Sequence, residues 1–102
     1  MTAVEQRSFE PLQPGEVLLE EYLKPLGISQ NRLALSMRVP AQRISEIING
    51  KRSITADTAI RLAKVIGTTP EFWLSLQMDY DLQKTKNKFG TQIDNEVLSI
   101  HA

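Results

Sequence analysis

The sequence contains no cysteine. That removes disulfide staples, thiolate nucleophiles and sulfur-ligated metals, and makes a reducing cytoplasm the expected compartment. It has one histidine, His101, with no ligand or catalytic partner near it in sequence, so neither an imidazole base nor a metal site is expected. The five glycines form no phosphate-cradling repeat. No apolar run approaches the roughly 20 residues that cross a bilayer, and the opening MTAVEQRSFEP does not read as a secretory signal. The adjacent carboxylates Glu20 and Glu21 would point about 100° apart on a helix, which suits a solvated face better than acid–base chemistry. These absences leave no catalytic residue, metal or cofactor to expect, and no membrane partner. An enzyme is not expected.

Net charge is also missing: twelve basic and twelve acidic side chains cancel. That balance argues against a nucleic-acid partner until the charges are placed. Residues 29–52 hold Arg32, Arg38, Arg43, Lys51 and Arg52 against the single acid Glu46, while both flanks are acidic. The positive charge is therefore concentrated in one short stretch. The excess is modest, so a single subunit should bind DNA weakly where sequence does not matter.

That stretch, SQNRLALSMRVPAQRISEIINGKR, predicts two short helices joined by a tight turn. Leu33, Ala34 and Met37 share one face of the first; Ile44, Ile47 and Ile48 share one face of the second. Pro40 cannot continue the first helix but suits the start of the next. Ser29 is a good N-cap for the first, and Asn49-Gly50 ends the second. Opposite the isoleucines lie Gln42, Ser45, Glu46 and Asn49, with small Ala41 ahead of them. Such short, flat polar side chains can meet base edges in a major groove. Ala41, Gln42, Ser45 and Glu46 are therefore the candidate base-reading residues. Arg43, Lys51 and Arg52 flank them within reach of phosphates, and Gln30, near the positive end of the first helix, suits a phosphate too.

This pattern resembles the helix-turn-helix of the lambda-type and XRE-type repressors. PGEVLLEEYLKPLGIS followed by RISEIINGKRSITADTAIRLAKVIGTTPEFWLSLQ is similar, more narrowly, to the HigA antitoxin family of toxin–antitoxin modules. The resemblance covers about residues 14–82. It implies an all-α, five-helix lambda-repressor-like domain that represses its own operon and neutralises an mRNA-cleaving HigB-type toxin. One position departs: many members carry Gly in the turn where this chain has Arg38. A left-handed Arg costs on the order of 1 kcal/mol, so a slightly remodelled turn is expected, with Arg38 adding a phosphate contact.

Outside this unit, residues 1–13 lack periodicity and read as a flexible arm. Pro14-Gly15 opens a helix of about ten residues, which Pro25 and Gly27 end. Thr55 caps a fourth helix with a stripe of Ala56, Ala59, Leu62, Ala63 and Ile66, and Asp57 complements its dipole. Thr69-Pro70-Glu71 starts a fifth. Phe72, Trp73, Leu76 and Tyr80 make one apolar face of it; Leu74, Met78 and Leu82 make another. A helix apolar on two sides buries both, so the second face is the expected homodimer interface. Phe89-Gly90 is expected to break this helix. The domain is expected over 14–83, with a C-terminal extension over 84–102.

Two other functions fit the residues: a stand-alone XRE-type regulator without a toxin, and a protein-interaction module that has lost DNA binding. The double-stranded operator is the partner the exposed polar face of the second helix favours.

Overall fold

The computed structural model describes residues 11–101. Among them, all regular structure is helical: α1 over residues 14–26, α2 over Gln30–Met37, α3 over Ala41–Ile48, α4 over Ala56–Ile66 and α5 over Pro70–Glu96. Most of the arm expected over 1–13 lies outside the described residues.

α1 is one helix in three segments: Pro14–Val17, a widened π-type stretch Leu18–Leu23, and Lys24–Leu26. The Lys24 N–H reaches back five residues to the Leu19 carbonyl. The cause is Pro25, whose ring crowds the carbonyl four residues earlier and which has no N–H to donate. A widened turn ahead of it makes room. Pro25 therefore does not end the helix. Gly27 does, in a left-handed conformation at φ 67°.

The interior is built from the faces the periodicity marks. Leu18, Leu33, Ile44, Ala59, Leu62 and Trp73 are completely buried, with Ile47, Met37, Ala34 and Leu23 beside them. α1 approaches the end of α3 so closely that a methyl on Gly15 would overlap the Ile47 carbonyl. Trp73 meets Tyr22 at a tilt and Phe72 edge to face, with ring centroids 5.3 and 5.0 Å away, and its indole N–H donates to Thr68 Oγ1 at 2.7 Å. The aromatic cluster thus pins α1 and the start of α5 together.

α4 departs from its expected stripe. Thr58, Ala59, Leu62 and Ala63 are buried, while Ala56 is exposed and Ile66 only partly covered. Thr55 sits at the N-cap position without a side-chain bond to the helix backbone; its hydroxyl donates to Thr58 Oγ1 at 3.4 Å.

α5 is a single helix of 27 residues, about 40 Å long at 1.5 Å per residue. The break expected at Phe89-Gly90 is absent. One glycine in a helix interior costs only about 1 kcal/mol. The turns on either side of it carry i,i+4 amide pairs, Gln83 to Asn87 at 2.9 Å and Gln92 to Glu96 at 3.3 Å. From Lys84 to His101 every side chain except at Gly90 is exposed, and the boundary expected at 83/84 falls inside this continuous helix. No described helix is long and apolar enough to cross a membrane.

Candidate nucleic-acid interface

α2 and α3 form the turn the sequence predicts, and both caps are explicit. Ser29 Oγ accepts the Arg32 N–H at 3.1 Å, starting α2. α2 ends at Arg38, which is left-handed at φ 61°, ψ 45°. The turn is not remodelled, contrary to expectation. Arg38 takes the conformation glycine would favour, and its N–H is held by the Ala34 and Leu35 carbonyls. Arg38 is the only non-glycine residue with positive φ among the described residues. Pro40, extended at ψ 142°, occupies the N-cap position of α3 and so lies just outside that helix.

α3 places its two faces as its period requires. Ile44, Ile47 and Ile48 are buried. Ala41 and Gln42 are exposed, and Ser45 and Glu46 are half-exposed on the same outward side. These polar side chains are already ordered among themselves. Gln42 Nε2 donates to Glu46 Oε2 at 2.9 Å, and Arg52 Nε donates to Glu46 Oε1 at 2.8 Å. Asn49 Nδ2 reaches Ser45 Oγ at 3.5 Å, at the outer limit of a hydrogen bond. The hydrogen bond from Arg52, then that from Gln42, holds the Glu46 carboxyl below the usual carboxylate range. Glu46 thus remains ionised and links the start of α3 to the loop beyond its end.

The basic residues frame this face unevenly. Arg38, Lys51 and Arg52 are exposed, and Arg43 is half-exposed. Gln30 is partly covered at the first turn of α2, on the side that faces a shallow hollow with Leu19, Leu23 and Ile28. Arg38, Arg43, Arg52 and Arg61 line one open groove of about 450 Å³, with Ser53 and Thr55 also on its wall. Lys51 lies in a neighbouring hollow beside Lys84.

Three supports of this surface were not legible in the sequence. Gln13 Nε2 donates to the Ile48 carbonyl at 3.1 Å, so the residue before α1 satisfies the end of α3. Gln77, buried on α5, accepts the Ile54 N–H at 2.8 Å and donates to Asp81 at 3.0 Å, anchoring the loop after α3. Arg61 Nη1 donates to the Met37 carbonyl at 2.9 Å, closing the turn from α4. For Gln77 a signal existed: it stands one turn beyond Trp73, on the inward face of α5.

Leu74, Met78 and Leu82 lie together on α5 and are exposed, the last two at 55% and 52%. Phe89 and Ile93 continue the same stripe, also exposed. Among the described residues no cluster of His, Asp and Glu is arranged to hold a metal ion.

A helix-turn-helix family model matches residues 19–73. Antitoxin HigA-1 of Vibrio cholerae is 44% identical over 79 residues, 78% of this chain and 74% of the relative. A solved addiction-module antidote protein of the HigA family from Coxiella burnetii superposes with a TM-score of 0.84 at 49% identity, covering 89% of this chain and 99% of that one. The Pseudomonas aeruginosa antitoxin HigA, solved with the higBA promoter, matches with a TM-score of 0.84 at 37% identity over 88% and 98% of the two chains.

Proposed function

We propose that this chain, which belongs to the HigA family of helix-turn-helix antitoxins, binds operator DNA as a homodimer, represses its own operon and neutralises an mRNA-cleaving partner toxin of the HigB type. It acts by binding and is not an enzyme. The observation that carries the DNA-binding part is the split of α3. Three isoleucines seal its inner side, and Ala41 and Gln42 stand exposed, with Ser45 and Glu46 half-exposed, on the outer side, which among the described residues carries only the Arg52 contact to Glu46.

In this reading the outer face of α3 lies in a major groove and reads base edges. Gln42 has a carbonyl and one amide hydrogen left for a base after its bond to Glu46. Arg38, Arg43, Lys51 and Arg52 take phosphates around it, and Gln30 takes one at the start of α2. Leu74, Met78 and Leu82 meet their counterparts in a second copy, so two reading helices enter successive major grooves about 34 Å apart. Residues 14–83 form the binding domain, and 84–102 extend the surface offered to partners. The place of work is the cytoplasm, where operator and toxin both occur.

The test is a titration of a duplex taken from the promoter upstream of the chain's own operon, alongside a scrambled duplex, at two salt concentrations. Preferred binding to the promoter duplex, weakening as salt rises, supports the reading. Weak binding that ignores both sequence and salt would leave a protein-interaction module instead.

A further inference from the structure

The groove beside α3 contains one carboxylate among its arginines. Arg43 Nη1 donates to Asp57 Oδ2 at 3.2 Å, and Arg61 Nε donates to the same oxygen at 3.0 Å. Arg38 and Arg52 line the rest of the groove. Two guanidinium groups converging on one anionic oxygen in an open groove make a setting that a phosphate oxygen can also take, because arginine pairs with carboxylates and phosphates alike. Arg61 is further fixed by its bond to the Met37 carbonyl, so its guanidinium is aimed before any ligand arrives.

We propose that Asp57 occupies, in the free protein, the position a DNA backbone phosphate takes in the complex, and that it acts as an internal competitor which lowers affinity for DNA of any sequence. This rests on the DNA-binding reading above and adds two residues to it: Arg61 as a phosphate ligand and Asp57 as its counter-ion. The ion pairs are open enough to exchange. The Asp57 side chain is 59% exposed, Arg61 42% and Arg43 28%. Pairs of that exposure hold weakly, so a backbone phosphate, which like the carboxylate carries one negative charge on two free oxygens but is held in place by the contacts its neighbours along the strand make, can displace the carboxylate. Until that happens Asp57 cancels one of the two positive charges and repels the backbone. The device suits a repressor whose specific contacts must outweigh its general attraction for DNA.

The experiment is a salt-dependent titration of the full chain and Asp57→Asn against the promoter duplex and a scrambled duplex of equal length. Glu21→Gln, an equal change of charge on exposed α1, serves as the control. Asp57→Asn is expected to bind both duplexes roughly twofold to fivefold more tightly at moderate salt. Its slope of log affinity against log salt should be steeper by about one, because one more positive charge is free to release a counter-ion. Asp57→Glu should restore the wild-type slope, and Asp57→Asn placed on Arg43→Ala should gain less than on the wild type. Glu21→Gln should change neither quantity. An unaltered slope in Asp57→Asn, with the wild type still preferring its promoter, overturns this inference alone. Weaker binding with a flatter slope also overturns it, because the carboxylate would then be ordering Arg43 for the phosphate instead of competing with it. No DNA binding by either protein at low salt overturns it together with the function it rests on.

Discussion

Arg52 donates to the Glu46 carboxylate at 2.8 Å, tying the loop after α3 back onto the outer face of that helix. Gln42 joins the same carboxylate from one turn earlier, at 2.9 Å. The proposed reading surface is therefore partly organised before it meets DNA, and less side-chain entropy is lost on binding.

Removing Gln42 should reveal whether it reads a base. Gln42→Ala is expected to cost about 1–3 kcal/mol on the promoter duplex and to relax preference at one base pair in each half-site. Binding to a scrambled duplex should hardly change. An equal loss on every sequence would assign Gln42 to general affinity.

The Glu46 network gives stability a dependence on acid. Its carboxyl titrates below the ordinary range in the folded chain, because Arg52 and Gln42 favour the ionised form. The unfolded chain lacks both partners and takes up the proton at higher pH. The contribution is thus fully present above the unfolded value and disappears as pH falls through the lowered folded value. Urea midpoints of the wild type and Glu46→Gln should differ at neutral pH and converge in that acid window. A gap that widened on acidification would contradict this.

Arg38 sets a local trade between stability and binding. Its left-handed backbone carries a side-chain penalty that glycine lacks. Arg38→Gly should change stability by no more than about 1 kcal/mol, in the stabilising direction if strain dominates the extra flexibility of the unfolded chain. It should also flatten the salt slope of promoter binding by about one, as a phosphate contact is lost. Thermal melts and the salt titration read the two effects separately.

The exposed stripe on α5 should govern assembly. Met78→Glu lies at a half-open position, so the monomer fold should survive, and helix content by circular dichroism should be unchanged. Two charges brought face to face across a symmetric apolar contact should shift sedimentation from dimer to monomer. A dimer that persists in both Leu74→Glu and Met78→Glu places the contact elsewhere.

Much of this architecture was legible from short-range rules. Ile44, Ile47 and Ile48 announced the inner face of α3 because a helix period lies within eight residues, and Ser29 and Thr69 announced caps because a cap needs only its own next turn. What escaped was long-range or overridden. Gln13 meets Ile48 across 35 positions, Arg61 meets Met37 across 24, and Gln77 meets Ile54 across 23; the period of α5 marks Gln77 as inward, but no local rule names the partner of any of the three. Pro25 and Gly90 looked like terminators because their local penalties are real. A widened turn accommodates the first, and an otherwise continuous helix absorbs the second. Asp57 was readable as a partner of the α4 dipole, but its place between Arg43 and Arg61 required the fold.

The central claim is that the side of α3 turned away from the isoleucines touches nucleotide bases. Backbone amide shifts of the isotope-labelled protein, followed while the promoter duplex is added, test it most directly. The largest changes should fall on Ala41, Gln42, Ser45 and Glu46, with Ile44 and Ile47 shifting less. Saturated binding that left those four amides unmoved while another surface responded would contradict it.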